Sequence, residues 1–246
     1  MTSVVLLHGH LGLGFSWRYQ VKALREHGFE VHAPDLPGHG TTPLPPGDLS
    51  WPALIDWLST LLDEHAIDDA VLVGHDIGSA LAVASARRHP ERVSGLMLMS
   101  MPYLITPQPI PSVGRLLRDP GQAASVSAYL RESLITLCAD TIPMSDAELA
   151  VFVNAYTATG FAEARAWLDL TVGHLDGPAE LPTPAYFLDG EHDQGVALAG
   201  VQSMGAMRSV MPALRGVHTY DNAGHLFAQE FPRQMNAALL GFIRSL

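Results

Sequence analysis

Residues 72–82 read LVGHDIGSALA, and this stretch decides the fold. A short apolar run ends at Gly74, and an apolar pattern with helical spacing begins at Ile77. Between them stands one carboxylate, Asp76, with Gly74 and Gly78 two positions away on either side. The G-x-D-x-G spacing fits a strand that turns sharply into a helix, the geometry of a nucleophile elbow. Glycines at the flanking positions relieve the crowding of so tight a turn and push the middle side chain over the sheet edge. The positive end of the following helix favours an anion there, so a carboxylate stays ionised and nucleophilic. The competing reading is a plain helix cap, because Asp is a good N-cap residue. The rest of the chain decides between the two.

Outward from the elbow, short apolar or β-branched runs alternate with longer helical patterns. Strands are expected at Val4–Leu7, Glu30–Ala33, Ala70–Val73, Gly95–Met99, Ala185–Leu188 and Val217–Tyr220. Helices are expected over Trp17–His27, Trp51–His65, Ile77–His89, Val196–Val210 and Phe231–Ser245. The alternation implies an α/β fold, a mostly parallel sheet of about six strands with helices on both faces. It breaks once, between Met101 and Thr183. That segment opens on PYLITPQPIPS, reads as helix over Ser125–Cys138 and Asp146–Thr159, and closes on DGPAELPTP. Residues 1–100 and 184–246 are thus expected to form the core domain and 101–183 a helical cap. An insertion at that point lies at the C-terminal edge of the sheet, where such folds bind ligands.

Composition narrows the function. The chain has 246 residues, 48% of them hydrophobic, and a formal charge of -11. No basic stripe is present, which argues against nucleic acid as a partner. Cys138 is the only cysteine, so no internal disulfide can form, which fits a reducing compartment. The opening MTSVVLLHGH has no basic segment before its apolar run, and no run approaches the roughly 18 apolar residues of a membrane span. A cytoplasmic protein with no membrane contact is expected. No pair of histidines has metal spacing with a third ligand, so neither metal nor cofactor is expected. The partner is then a small-molecule substrate, with the oligomeric state left open.

The residues an elbow needs are present in order. YDNAGHLFAQEFP, 220–232, follows the last strand and places His225 in a loop just past Gly224. There an imidazole can descend on the elbow as a base. FLDGEHDQG, 187–195, offers Asp193 as the acid that orients this imidazole, with Asp189 and Glu191 as competitors. Asp189 is nearer the strand end and reads as structural, Glu191 as solvated. LLHGHLG, 6–12, ends the first strand, and the backbone N–H of His10 can join that of Ile77 in an oxyanion hole. His8 and His75 flank the site and read as structural hydrogen-bonding groups rather than bases.

Taken together, LLHGH, DLPGHG, LVGHDIGSALA, GEHDQG and NAGHLFAQEFP resemble the α/β-hydrolase superfamily across nearly the whole chain. Asp rather than Ser at the elbow narrows the resemblance to the epoxide hydrolase and haloalkane dehalogenase branch. DPGQA and TGFAEARAWLDL resemble cap segments of the epoxide hydrolases. The resemblance implies a triad of Asp76, His225 and Asp193. It also implies a covalent ester between Asp76 and the substrate, and hydrolysis of a small or medium apolar epoxide to a diol. It further implies cap hydroxyls that protonate the epoxide oxygen. The tyrosine expected after Trp167 is Leu168, and the other falls near Val113 or Leu116. Tyr103, Tyr129 and Tyr156 are the remaining candidate donors, and Trp167 is a candidate pocket residue. His8-Gly9-His10-Leu11 departs from the family's H-G-x-P. The alternatives are a haloalkane-type dehalogenase, whose halide-binding tryptophan is Ile77 here, and a non-hydrolytic binding or cyclase-like protein on the same scaffold.

Overall fold

Six strands form one sheet in a computed structural model of the chain, which describes residues 2–47, 49–101, 117, 119–139, 141–170, 180–194 and 207–246. They are β1 (Ser3–Leu7), β2 (Glu30–His32), β3 (Ala70–His75), β4 (Val93–Met99), β5 (Ala185–Gly190) and β6 (Leu214–Tyr220). Their order is β2-β1-β3-β4-β5-β6, and every neighbouring pair is parallel. The chain reverses its direction of travel across the sheet between β1 and β3. In an open parallel sheet, such a switch point leaves a crevice at the C-terminal strand ends. The elbow leaves β3 there and the His8–Leu11 loop leaves β1, so both arrive at the same crevice.

The strands show no polar alternation because both faces are buried. Val5, Leu7, Leu72 and Phe187 pack against α2 (Trp51–Glu64) and α3 (Ile77–Arg88). Val4, Leu6, Val73 and Met97 pack on the other face against α1 (Arg18–Glu26) and the C-terminal helix. Leu72 and Leu6 are fully buried. Removing one such side chain to Ala costs about 2–5 kcal/mol.

Between β4 and β5 lie α4 (Val126–Leu137), α5 (Asp146–Thr159) and the single-turn-scale α6 (Ala162–Ala166). Ser125 and Ser145 cap the first two, accepting from the backbone N–H of Ala128 and Glu148. Glu148 reaches back to the Ser145 N–H to complete a capping box, and α5 stops at Gly160, whose φ of 74° suits glycine. The insertion is held to the core by Arg18, which donates to Glu148 Oε1 at 2.6 Å and to Gln229 Oε1 at 2.7 Å. Leu11 and Leu13 join Leu130, Phe152, Tyr156 and Phe161 in a third apolar cluster beneath it.

Two expected helices differ. Most of Val196–Val210 lies outside the described residues, although 207–210 are helical. The pattern at Phe231–Ser245 is α8 (Pro232–Arg244), preceded by a separate short α7 (Phe227–Glu230). Pro232 has no N–H to continue the first helix, and Phe231 before it sits at φ -126°, ψ 59°, which separates the two. No helix among the described residues is long and apolar enough to cross a membrane.

Candidate active site

Asp76 sits between β3 and α3 at φ 50°, ψ -118°, a region non-glycine residues rarely occupy. Such strain costs about 1–3 kcal/mol and persists only where the surroundings over-determine it. Here they do. The Asp76 N–H donates to the Met99 carbonyl at 3.0 Å. The Ser79 hydroxyl bridges the N–H and carbonyl of Met99, both at 3.0 Å, and pins the first turn of α3 to β4. A Cβ on Gly78 would lie 2.2 Å from the Leu7 carbonyl oxygen, and one on Gly74 would lie 2.5 Å from the Ser79 nitrogen. Gly78→Ala is therefore expected to lower stability by about 1–3 kcal/mol, the usual cost of an unrelieved clash. A lower urea midpoint with an unchanged slope would show it, and an unchanged midpoint would mean the elbow is slack.

The Asp76 side chain is fully buried, and its Oδ2 accepts from the His10 backbone N–H at 3.1 Å. Ile77 opens α3, so its N–H has no carbonyl four residues back to meet. A Cβ on Gly9 would lie 3.1 Å from Asp76 Cβ and 2.6 Å from His75 Nδ1, which explains glycine where β1 meets the elbow.

The structure brings His225 and Asp193 together. His225 Nδ1 donates to Asp193 Oδ1 at 2.9 Å, with both residues buried. Burial opposes the imidazolium of His225, but the charge and hydrogen bond of Asp193 outweigh it and raise the pKa, with Asp76 adding to the rise. Burial likewise opposes the Asp193 carboxylate, and the charge and hydrogen bond of His225 outweigh it and lower the pKa. The competitors lie elsewhere. Burial raises the pKa of Asp189, against a hydrogen bond from Thr219. Glu191 is exposed and accepts from the Asn222 N–H at 2.9 Å.

The flanking histidines are neutral connectors. His8 donates from Nδ1 to the Gly9 carbonyl and accepts the Leu36 N–H at Nε2, and burial lowers its pKa to about 4. His75 donates from Nε2 to the carbonyl of His225 at 2.9 Å, with the two rings 4.3 Å apart. Burial and the neighbouring His225 lower the His75 pKa to about 3. His75 thus fixes the loop that carries His225, a role beyond sequence reading because it joins residues 150 positions apart. Ser100 was also missed. It follows β4 at φ 62°, is fully buried, and its hydroxyl helps lower the Asp193 pKa. The available signal was its place one residue past a strand end.

The insertion reaches the site from above. The His225 N–H donates to the Leu137 carbonyl at the end of α4, at 2.8 Å. Gly224 lets that helix approach, since a Cβ there would lie 2.4 Å from the Ala139 nitrogen. A largely apolar cavity opens between insertion and core, lined by His10, His75, Leu134, Leu137, Phe152 and Leu226. Of the candidate donors, Tyr103 lies outside the described residues. The Tyr156 hydroxyl donates to the Gly12 carbonyl at 3.1 Å. The Tyr129 hydroxyl is buried and makes no well-aligned hydrogen bond among the described residues, with Ser133 and Arg165 close by. Trp167 packs in the core, and its N–H donates to the Pro37 carbonyl at 2.8 Å. Among the described residues no group of three or more His, Cys, Asp or Glu could hold a metal ion.

A family model described as "Alpha/beta hydrolase family" matches residues 4–238. Epoxide hydrolase 2 of Siraitia grosvenorii is 27% identical, over 98% of this chain and 92% of its own length. Epoxide hydrolase A of Mycobacterium tuberculosis is 26% identical, over 99% of this chain and 90% of its own length. Among solved structures, potato epoxide hydrolase I superposes with a TM-score of 0.86 at 22% identity, covering 100% of this chain and 93% of that one. Epoxide Hydrolase A from Mycobacterium thermoresistibile superposes at 0.82 with 25% identity, covering 99% and 91%.

Proposed function

The chain belongs to the alpha/beta hydrolase family, and from that premise we propose that it opens an epoxide to a diol through a covalent ester on Asp76. It is a hydrolase, and its full-length relatives include epoxide hydrolases of plants and mycobacteria. The observation that carries the finer reading is the carboxylate itself: a strained, fully buried Asp76 facing the His10 N–H, at the edge that holds the His225–Asp193 pair.

In the first step an Asp76 oxygen attacks an epoxide carbon, and the carbon–oxygen bond on that carbon breaks. The departing oxygen takes a proton, which we assign to the Tyr129 hydroxyl. Tyr156 is less suited, because its proton is directed at the Gly12 carbonyl. In the second step His225 takes a proton from water, and the resulting hydroxide attacks Cγ of Asp76. The His10 and Ile77 N–H groups receive the charge on the tetrahedral oxygen. Collapse releases the diol and restores the Asp76 carboxylate, and the imidazolium proton returns to the tyrosinate through solvent. The insertion acts as the cap that supplies the acid and excludes bulk water. Haloalkane chemistry is less well supported: Ile77 offers no halide donor, and the Trp167 N–H is held by Pro37.

Tyr129→Phe is expected to lower kcat/KM on an epoxide by about a hundredfold to a thousandfold, the usual effect of losing one donor to a developing oxyanion. Tyr156→Phe is expected to cost less. The reverse order would reassign the acid to Tyr156. If neither variant loses activity, the donor is neither of them.

Charge also sets a pH dependence. The first step needs no base, so an imidazolium at His225 is harmless there. Asp76 helps hold the His225 pKa up in the free enzyme. Esterification removes that negative charge, so the pKa falls and the base becomes free at lower pH. The acid limb of ester hydrolysis is therefore expected below the His225 titration measured by NMR in the free enzyme. A limb at or above that titration would mean that Asp76 and His225 are not coupled.

A further inference from the structure

Glu230 stands five residues past His225, and the reaction above gives it no role. The single turn of α7 curls the chain back, so the Glu230 side chain returns to the loop that carries the base. The break before Pro232 ends the helix at that residue. Glu230 Oε2 accepts from the Gly224 N–H at 3.1 Å and from the Ala139 N–H at 3.3 Å. Gly224 directly precedes His225. Ala139 lies just past α4, whose Leu137 carbonyl accepts the His225 N–H at 2.8 Å. One carboxylate therefore ties the base loop to the insertion at the point where the two touch. The carbonyls of the loop are held elsewhere: Ala223 accepts the His192 N–H, and His225 accepts from His75 Nε2, both at 2.9 Å.

A neutral amide would make the same two bonds without a charge to desolvate. Burial raises the Glu230 pKa, against the backbone bonds from Gly224, Ala139 and Leu226 and the charge of His225. The folded protein thus holds the ionised form at a cost to stability. The return is at the base: Glu230 adds to the rise of the His225 pKa, after Asp193 and Asp76. The other titratable groups around the imidazole are His75 at the end of β3 and His10 after β1, both neutral. Around Glu230, Cys138 faces it from the insertion, and burial pushes that thiol up to about 12. His192 lines the same outer groove as Glu230.

We propose that Glu230 is a positioning residue for His225: it fixes the base loop against the insertion and keeps a negative charge near the imidazole for the step in which water is deprotonated. The step it serves rests on the epoxide-opening reading above. The first step needs no base, so Glu230 matters little to it. In the second step His225 becomes an imidazolium, and a nearby carboxylate lowers the energy of that state.

Two variants of the full chain test this. Glu230→Gln keeps an oxygen that can accept from Gly224 and Ala139 but removes the charge, and Glu230→Leu removes both. With no substrate present, NMR is expected to find His225 titrating at lower pH in Glu230→Gln than in the wild type. Excess enzyme is then given a single turnover of the best substrate from a panel of aryl and alkyl epoxides, styrene oxide among them. The ester on Asp76 is expected to form within about twofold of the wild-type rate in both variants, because no base acts in that step. Its hydrolysis is expected to slow about tenfold or more in Glu230→Leu, less than loss of the base itself would cost, and by a smaller factor in Glu230→Gln. A His225 titration that stays or rises, ester hydrolysis at the wild-type rate in both variants, or equal slowing of both steps would each overturn the proposal. If Glu230→Leu fails to fold, Glu230→Gln decides through the same two readings. A wild type that forms neither ester nor diol across the panel would remove the epoxide reading, and the His225 titration would still decide for or against Glu230.

Discussion

Asp76→Ala is expected to fold and to lose turnover, by on the order of 10⁵-fold or more, the scale seen when a covalent nucleophile is removed. No other described carboxylate can take its place. Asp193 is hydrogen-bonded to His225, and Asp189 and Glu191 are engaged with Thr219 and Asn222. Stability should change little, because two effects oppose each other. The His10 N–H loses its acceptor, but a fully buried carboxylate no longer has to be desolvated. Near-ultraviolet circular dichroism would report the fold and diol formation the activity. A folded Asp76→Ala protein with wild-type turnover would remove Asp76 from the chemistry.

His225→Gln is expected to behave differently: it should react once and then stop. A carboxylate needs no base before it attacks, so the first step survives the substitution. Water must be deprotonated before it attacks the ester, so the second step fails. The steady-state rate should fall by about a thousandfold or more, and intact-protein mass spectrometry should show one substrate mass added. Peptide mapping should place it on 72–82. A variant that neither turns over nor gains mass would mean that His225 is needed to form the ester, contrary to the roles assigned here.

The elbow could be read from sequence because its spacing signature is local, even though the contacts that hold it, from Met99 and His10, are not. Gly74, Asp76 and Gly78 lie within five residues, and the Gly74 clash is with the helix that follows, although the Gly78 clash is with the Leu7 carbonyl of β1. The strands were legible for a related reason. Burial on both faces makes Val71–Val73 or Leu96–Met99 continuously apolar, a signal independent of partners. What could not be read depends on segments far apart in the chain. Tyr129 and Tyr156 look alike in sequence, and only the Gly12 carbonyl, 144 positions from Tyr156, distinguishes them. His75 reads as a flanking histidine until its contact with the His225 carbonyl is seen. The split before Pro232 was locally legible and was missed because the apolar pattern runs through it.

In the proposed mechanism water attacks the carboxyl carbon of Asp76 and not the substrate. Excess enzyme is mixed with a limiting amount of epoxide in water labelled with heavy oxygen, for a single turnover. The peptide containing Asp76 and the diol are then weighed by mass spectrometry. The label is expected in Asp76, with the diol carrying an unlabelled oxygen drawn from the enzyme. Label found directly in the diol, with Asp76 unlabelled, would contradict the covalent route and leave Asp76 as a base that positions water.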